Sequence, residues 1–567
     1  MPGFNVPLNV PPEENTISLR RAGFPNALDK DDIQEGYVGQ ILTHREITME
    51  RIANSITDKE EWDRKLFDQN ITAKWRKELL QSGQDVTERM IDYTMQELRW
   101  KAEFQKTQGF LEVFDDGVTK SDTTISKELQ IALNEAVAPL ENVPGEQKDY
   151  HPGSNNTVVD LVHPSLYPVI YGKTRVLPDR LLGLHDCLNS IGEGEAIPVP
   201  PKEQTVLQDP RPKYHIPRHR PLEPPEFSTK FQWLPCEVEL ADHEKCQIQS
   251  YINNAHPVKH KALYQAVEGI IERIMPLWEV SLQGSKKRRI PLKEVEYEEG
   301  WEKEPEYQED ADEDAYQALL DKFYRGRRVK VPEPPAEFNV REPFKEVDFR
   351  KHFPKHKFQI IVKLANIELT PENPRYEGGS WHIEGQLNER IAASAIYYYD
   401  SKNITSSSLS FRTRADTELY DLKYDQDQHQ FLQQVYGFPD NIDGWNEGYI
   451  TQERGSIEAR EGRLITFPNT IQHRVSSFSL EDPTQPGHRK ILALFLVDPY
   501  RRIISSANVP PQQEDWKVTT DAEKENANTM TLEEAKKYRL ELMEERGLRS
   551  NDANEAFENG AFNLCEH

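Results

Sequence analysis

The stretch Phe358-Gln-Ile-Ile-Val-Lys-Leu-Ala-Asn-Ile-Glu-Leu369, which leads through a polar turn into Gly378-Gly-Ser-Trp-His-Ile-Glu-Gly385, decides how the chain is read. Its first part is apolar and β-branched over the length of a buried strand. Its second part sets His382 and Glu384 two residues apart. In an extended strand such a pair shares one face, because side chains alternate with period 2. Downstream, Gly462-Arg-Leu-Ile-Thr-Phe-Pro-Asn-Thr-Ile-Gln-His473-Arg-Val475 brings a second imidazole after another strand-like run. Gly487-His-Arg489-Lys-Ile-Leu-Ala-Leu-Phe-Leu-Val497 then closes the segment.

Two neutral imidazoles and one carboxylate form the facial triad of non-haem Fe(II) sites, which leaves coordination positions open. His382, Glu384 and His473 are therefore the candidate metal ligands. Arg489 is the candidate anchor for a dicarboxylate, since a planar guanidinium holds a carboxylate by two parallel hydrogen bonds. The spacing alone is weak, because 16 His and 96 acidic residues produce about three His-x-Asp/Glu pairs by chance. His44-Arg-Glu46 is one of them, and it falls in a helix-like segment where positions i and i+2 do not face each other. Order and setting raise the 382/384 pair above it.

That order of strand, ligand pair, strands, His-x-Val and Gly-x-Arg resembles the double-stranded β-helix of the Fe(II)/2-oxoglutarate-dependent dioxygenases, and its wording is nearest the prolyl-hydroxylase branch. The resemblance implies a jelly-roll or cupin-like core in an α+β chain, with Fe(II) on His382, Glu384 and His473. It also implies 2-oxoglutarate on Arg489, with Tyr397 as an added hydroxyl. One departure is visible: the usual carboxylate ligand is Asp, and Glu384 is one methylene longer. From about residue 35 to 515 the chain also resembles a fungal family catalogued as domain of unknown function 4246. The strings that carry this are Val158-Val-Asp-Leu-Val-His-Pro-Ser-Leu-Tyr-Pro168, Ser250-Tyr-Ile-Asn-Asn-Ala-His-Pro257 and Ser380-Trp-His-Ile-Glu-Gly-Gln-Leu-Asn-Glu-Arg390. That name carries no reaction. Three other readings stay open: a scaffold whose histidines are hydrogen-bonded core residues, a cupin-like enzyme using another divalent metal, and a protein demethylase with Lys363 as the alternative anchor.

Bulk properties narrow the function class. A chain of 567 residues with 36% hydrophobic and 9% aromatic content builds a large core in two to four domains. A net charge of −26 disfavours a nucleic-acid partner, which needs clustered Lys and Arg. No apolar run reaches membrane-spanning length, and Met1-Pro-Gly-Phe-Asn-Val lacks the features of a signal peptide. The expected setting is intracellular, in cytoplasm or nucleus, with a small-molecule or protein substrate. The four cysteines, at 187, 236, 246 and 565, are too scattered for a disulfide framework and are expected reduced.

Along the chain, residues 1–35 read as a polar surface arm, 36–150 as helical, and 151–345 as a Pro-rich wrapping region with a helix at 260–280 and an exposed acidic insertion at 293–316. Residues 346–510 form the oxygenase-like core, and 511–567 a tail whose helix starts at the capping box Thr531-Leu-Glu-Glu534 and ends near Gly547. His215 with His219, and Cys236 with His243 and Cys246, lack the spacing of a zinc site. The basic run Lys286-Lys-Arg-Arg289 reads as a solvated loop.

Overall fold

A computed structural model describes residues 23–29, 39–205, 226–240, 245–284, 286–298, 304–306, 312–343, 346–353, 357–419, 421–426, 428–444, 446–517 and 528–564. His215, His219, His243 and Cys565 lie outside them. In chain order the main elements are α1 (His44–Thr57), α2 (Gln69–Leu80), α3 (Glu88–Gln108), β1 (Leu111–Phe114), β2 (Val118–Ser121), α4 (Lys127–Glu141), β3 (Val158–Val162), β4 (Cys236–Leu240), β5 (Cys246–Ile248), α5 (Lys261–Ser281) and α6 (Glu313–Gly326). They continue with β6 (Lys357–Leu369), β7 (Ile391–Lys402), β8 (Ser408–Arg414), β9 (Thr451–Glu458), β10 (Leu464–Pro468), β11 (Gln472–Val475), β12 (Gly487–Val497) and α7 (Leu532–Glu558).

The larger sheet is antiparallel, in the order β1-β2-β10-β7-β12-β6-β4-β5, with β3 also on the free edge of β6. A smaller sheet runs β9-β8-β11, and an isolated bridge between His382 and His473 lays residues around 382 along the far edge of β11. Period 2 sorts the two faces of the larger sheet. Val362 and Leu364 of β6, Ala393, Ala395, Tyr397 and Tyr399 of β7, and Leu492, Leu494 and Leu496 of β12 pack under α4 and α5. Helix α5 presents Leu263, Ile270, Ile274 and Trp278 to them. The opposite face, with Ile396 and Tyr398, meets Leu409, Phe411 and Ile457 of the smaller sheet. Two apolar layers therefore flank the larger sheet, and the polar site described below lies at the edge of the inner one.

Several sequence expectations change here. The helical region contains the β1–β2 hairpin, and the Pro-rich region gives β3, β4 and β5 to the larger sheet. In place of a surface arm, residues 23–29 pack into the core: Asn26 Nδ2 donates to Ile391 O (2.9 Å) and Phe24 is buried. Arg289 is no solvated loop residue. It is 1% exposed and pairs with Glu50, Glu97 and Asp115, acids from α1, α3 and the β1–β2 turn that local sequence cannot bring into view. The acidic insertion turns helical from Asp312, which caps α6 through Asp314 N and Ala315 N. Cys187, Cys236 and Cys246 are buried free thiols. Among the described residues no helix is long and apolar enough to cross a membrane.

Candidate metal centre

The site is built from one cross-strand pair. His382 N–H donates to His473 O (3.2 Å) and His473 N–H to His382 O (3.1 Å). A pair that exchanges both bonds sits about 5.5 Å apart at Cα with its side chains on one face. The two rings accordingly lie 4.2 Å apart, tilted by 53°. Glu384, two residues beyond His382, shares that face, and its Oε1 stands 3.6 Å from His382 Nε2 and 3.3 Å from His473 Nε2. One donor atom from each of the three lies within 4.8 Å of the others. The extra methylene of Glu384 is accommodated, since one carboxylate oxygen reaches both imidazoles.

The surroundings hold this geometry. Gly378 has φ +90°, and a Cβ there would come within 2.8 Å of Val475 O, so only glycine lets the chain run this close to β11. Asn469 fixes the turn after the pair: its Oδ1 accepts from Glu384 N (3.1 Å) and its Nδ2 donates to Glu384 O (3.0 Å). His382 Nδ1 donates to Ser380 O (2.8 Å), because a carbonyl can only accept. Its Nε2 therefore keeps a lone pair directed at the cluster. His473 packs on Phe467, with ring centroids 4.6 Å apart, and is 2% exposed, whereas His382 keeps a third of its side chain open.

Burial and the charge of His382 push His473 down to about 4. At His382, burial acts in the same direction, but the Glu384 carboxylate outweighs it and the ring is raised. Burial opposes ionisation of Glu384, yet the two imidazoles beside it hold its carboxyl well below the usual range. The set thus offers an ionised carboxylate and a neutral His473, the forms a divalent cation binds.

Arg489, on β12, is 2% exposed and faces the space between the sheets. Its guanidinium donates to Ser407 Oγ and to Ala459 O (2.8 Å) and lies over the rings of Phe478 (4.7 Å) and Tyr398 (5.4 Å). Among the described residues no carboxylate comes within ion-pair distance, and its Nε has no hydrogen-bond partner. Lys363 is on the face of β6 opposite Val362 and Leu364, and its charge acts on both site histidines. Tyr397 points the other way, into the layer under α5, and the inward tyrosine is Tyr398. Alternation along β7 was the signal: Ile396 and Tyr398 share a face, and Tyr397 cannot join them.

A second constellation was not found from sequence. His151, Asp160 and His163 also place donor atoms within 4.8 Å of one another. His151 Nδ1 lies 2.9 Å from Asp160 Oδ2, and Arg539 Nη1 stands 3.5 Å from the same oxygen. His163 Nδ1 accepts from Ser165 N–H (3.2 Å). That contact spends one lone pair and leaves the proton of the neutral ring on Nε2. This group is an ion-pair network with a guanidinium already beside its carboxylate.

A family model described as "Protein of unknown function (DUF4246)" matches residues 88–520, and one described as the N-terminal domain of DUF4246 matches 1–78. The chain belongs to the DUF4246 family. No curated protein matches this DUF4246 chain. Among solved structures, it is similar to IDO from Bacillus thuringiensis at 9% identity, over 25% of this chain and 46% of that one, with a TM-score of 0.15. The Fe(II)/(alpha)ketoglutarate-dependent dioxygenase TqaL matches at 15% identity over 28% and 52%, with a TM-score of 0.16. The vicilin of Solanum melongena matches at 9% identity over 45% and 52%, with a TM-score of 0.13. The chain spans about half the length of these structures, at TM-scores too low to assign a fold.

Proposed function

We propose that this chain is a non-haem Fe(II)- and 2-oxoglutarate-dependent oxygenase acting on a small molecule or a protein. The observation that carries the reading is the convergence of His382, Glu384 and His473, with the His382 Nε2 lone pair free and no Lys or Arg paired to Glu384 among the described residues. The strand order supports it. Along the chain β6, the 382 strip, β7, β8, β9, β10, β11 and β12 fall into two facing groups, β10-β7-β12-β6 and β9-β8-β11-strip. We read these eight strands as a double-stranded β-helix.

His382, Glu384 and His473 would hold the metal from one side, leaving the other coordination positions to co-substrate and oxygen. When bound, Fe(II) and 2-oxoglutarate would activate O2, the four-electron oxidant: two electrons would come from 2-oxoglutarate, which leaves as succinate and CO2, and two from the substrate. The chain's own residues do the rest. Arg489 binds the distal carboxylate: a buried guanidinium without an anion costs several kcal/mol, and a dicarboxylate removes that cost. Phe467 packs on His473, and Phe478 and Tyr398 lie against Arg489, so apolar rings would border the bound co-substrate. His382 Nδ1, tied to Ser380 O, keeps the proton away from the coordinating nitrogen.

Anaerobic titration with Fe(II) and 2-oxoglutarate tests this, and the weak visible band of the chelate is the expected result. Folded protein that gives no band at saturating iron overturns it. Arg489→Ala is expected to weaken 2-oxoglutarate binding about a hundredfold, the worth of two charge-assisted hydrogen bonds, while Lys363→Ala stays near wild type. The reverse outcome moves the anchor to Lys363.

A further inference from the structure

Period 2 leaves the neighbours of the ligands on the back of the smaller sheet: Trp381 and Ile383 on the strip, and Gln472 on β11. Helix α7 covers that back face. It lies beyond the residues that either family model matches. Asn554 Nδ2 donates to Trp381 O (2.9 Å), and Asn554 Oδ1 accepts from Gln472 Nε2 (2.7 Å). A single side chain thus bonds to the residue before His382 and to the residue before His473. One turn on, Glu558 pairs with Arg412, whose Nε donates to Gln472 Oε1 (2.6 Å) and whose guanidinium lies 4.6 Å over the Trp381 ring. Phe557 is fully buried against Ile383. The helix end is itself held, because Arg414 Nη1 donates to the carbonyls of Ala556 (2.7 Å), Phe557 (2.8 Å) and Asn559 (3.0 Å).

We propose that Asn554 is a positioning residue for the metal centre, stapling the two ligand-bearing strands together from behind. The proposal rests on the reading of the triad as a metal site. The argument is geometric. The strip is an edge strand whose pairing to β11 at the ligands is one isolated bridge, so its outward carbonyls need partners. Asn554 supplies one at Trp381 and simultaneously orients Gln472 on the partner strand. Groups that orient a ligand from outside the coordination sphere typically change metal affinity by 10–100-fold.

The test uses the full-length chain and Co2+ as the probe, with affinity read by chelator competition and geometry by visible absorption. Amide hydrogen exchange over 380–384 and 472–475 is followed in the metal-free protein. Asn554→Ala is expected to weaken Co2+ binding about tenfold or more and to speed exchange in both segments. Asn554→Asp keeps the acceptor for Gln472 but sets a carboxylate oxygen against Trp381 O, so exchange over 472–475 returns towards wild type while 380–384 stays as fast as in Asn554→Ala. Leu548→Ser, at an exposed position on the same helix, matches wild type. Wild-type affinity and unchanged exchange in Asn554→Ala overturn the proposal. If wild type itself takes up no Co2+ while Asn554→Ala still speeds exchange in both segments, the staple stands and the metal reading falls.

Discussion

Among the described residues lie two groups of two histidines and a carboxylate, and their neighbours separate them. At His382, Glu384 and His473 the carboxylate faces two imidazoles, with no Lys or Arg paired to it among the described residues. At His151, Asp160 and His163 the carboxylate already shares Arg539 with Asp149, and one imidazole lone pair is spent on a backbone N–H. Residue type and proximity are alike in both. What differs is the competition for the carboxylate: Asp160 keeps one oxygen without a partner but already sits beside a guanidinium, whereas Glu384 faces imidazoles alone and has its charge to give to a cation.

The sharpest way to break the comparison is metal stoichiometry. His473→Ala is expected to lower affinity for a divalent ion by more than about a hundredfold and to bring bound metal per chain to zero. His163→Ala is expected to leave one ion per chain. Elemental analysis after dialysis reads both, and loss of metal from the His163 variant alone would invert the assignment.

Stability gives the next largest effect. Arg539 is 4% exposed and bridges Asp149 and Asp160, so Arg539→Leu leaves the buried Asp160 carboxylate with only His151 beside it, while Asp149 keeps Lys536. The expected loss is about 3 kcal/mol, seen as a lower denaturation midpoint, with no gain of metal, because the Ser165 amide still occupies His163 Nδ1. An unchanged midpoint would mean that the network contributes nothing to the fold.

A smaller effect appears with pH in the metal-free protein. His473 is pushed down to about 4 from 6.5. Between those values the unfolded chain binds more protons than the folded one, so stability falls as pH drops through this window and rises with increasing pH. The contribution is at most about 3 kcal/mol and is offset in part by His382, which is raised. Denaturant midpoints of wild type and His473→Gln across this range test it. The variant should show the shallower pH dependence, and equal slopes would show that the ring titrates normally.

Much of the inner architecture was legible from sequence because it obeys short-range rules. The long apolar runs at 358–369 and 487–497 form strands β6 and β12, and the His-x-Glu pair shares one face as period 2 requires. Thr531 caps α7 by accepting from Glu534 N (3.2 Å), but the Glu534 side chain pairs with Lys173, so the expected capping box is only half closed. The misreadings involve partners distant in the chain. Helix α7 runs through Gly547 to Glu558, well past the expected stop, because its last turns are held by Arg412 and Arg414. The short strands β1 to β5 are too brief for periodicity to reveal, and they exist by pairing with the larger sheet. The exception is local: His151 meets Asp160 and His163 because residues 149–151 turn back along β3, with Tyr150 bridged to Val159, in a hairpin too short for periodicity to reveal. Tyr397 faces away from the site because one residue along a strand is the difference between two faces.

Anomalous diffraction from crystals grown with Mn2+ tests the central claim most directly. One peak is expected, about 2.1 Å from His382 Nε2, a Glu384 carboxylate oxygen and His473 Nε2, with none among His151, Asp160 and His163. A peak at the second group, or no peak beside His382 and His473 at saturating metal, would contradict it.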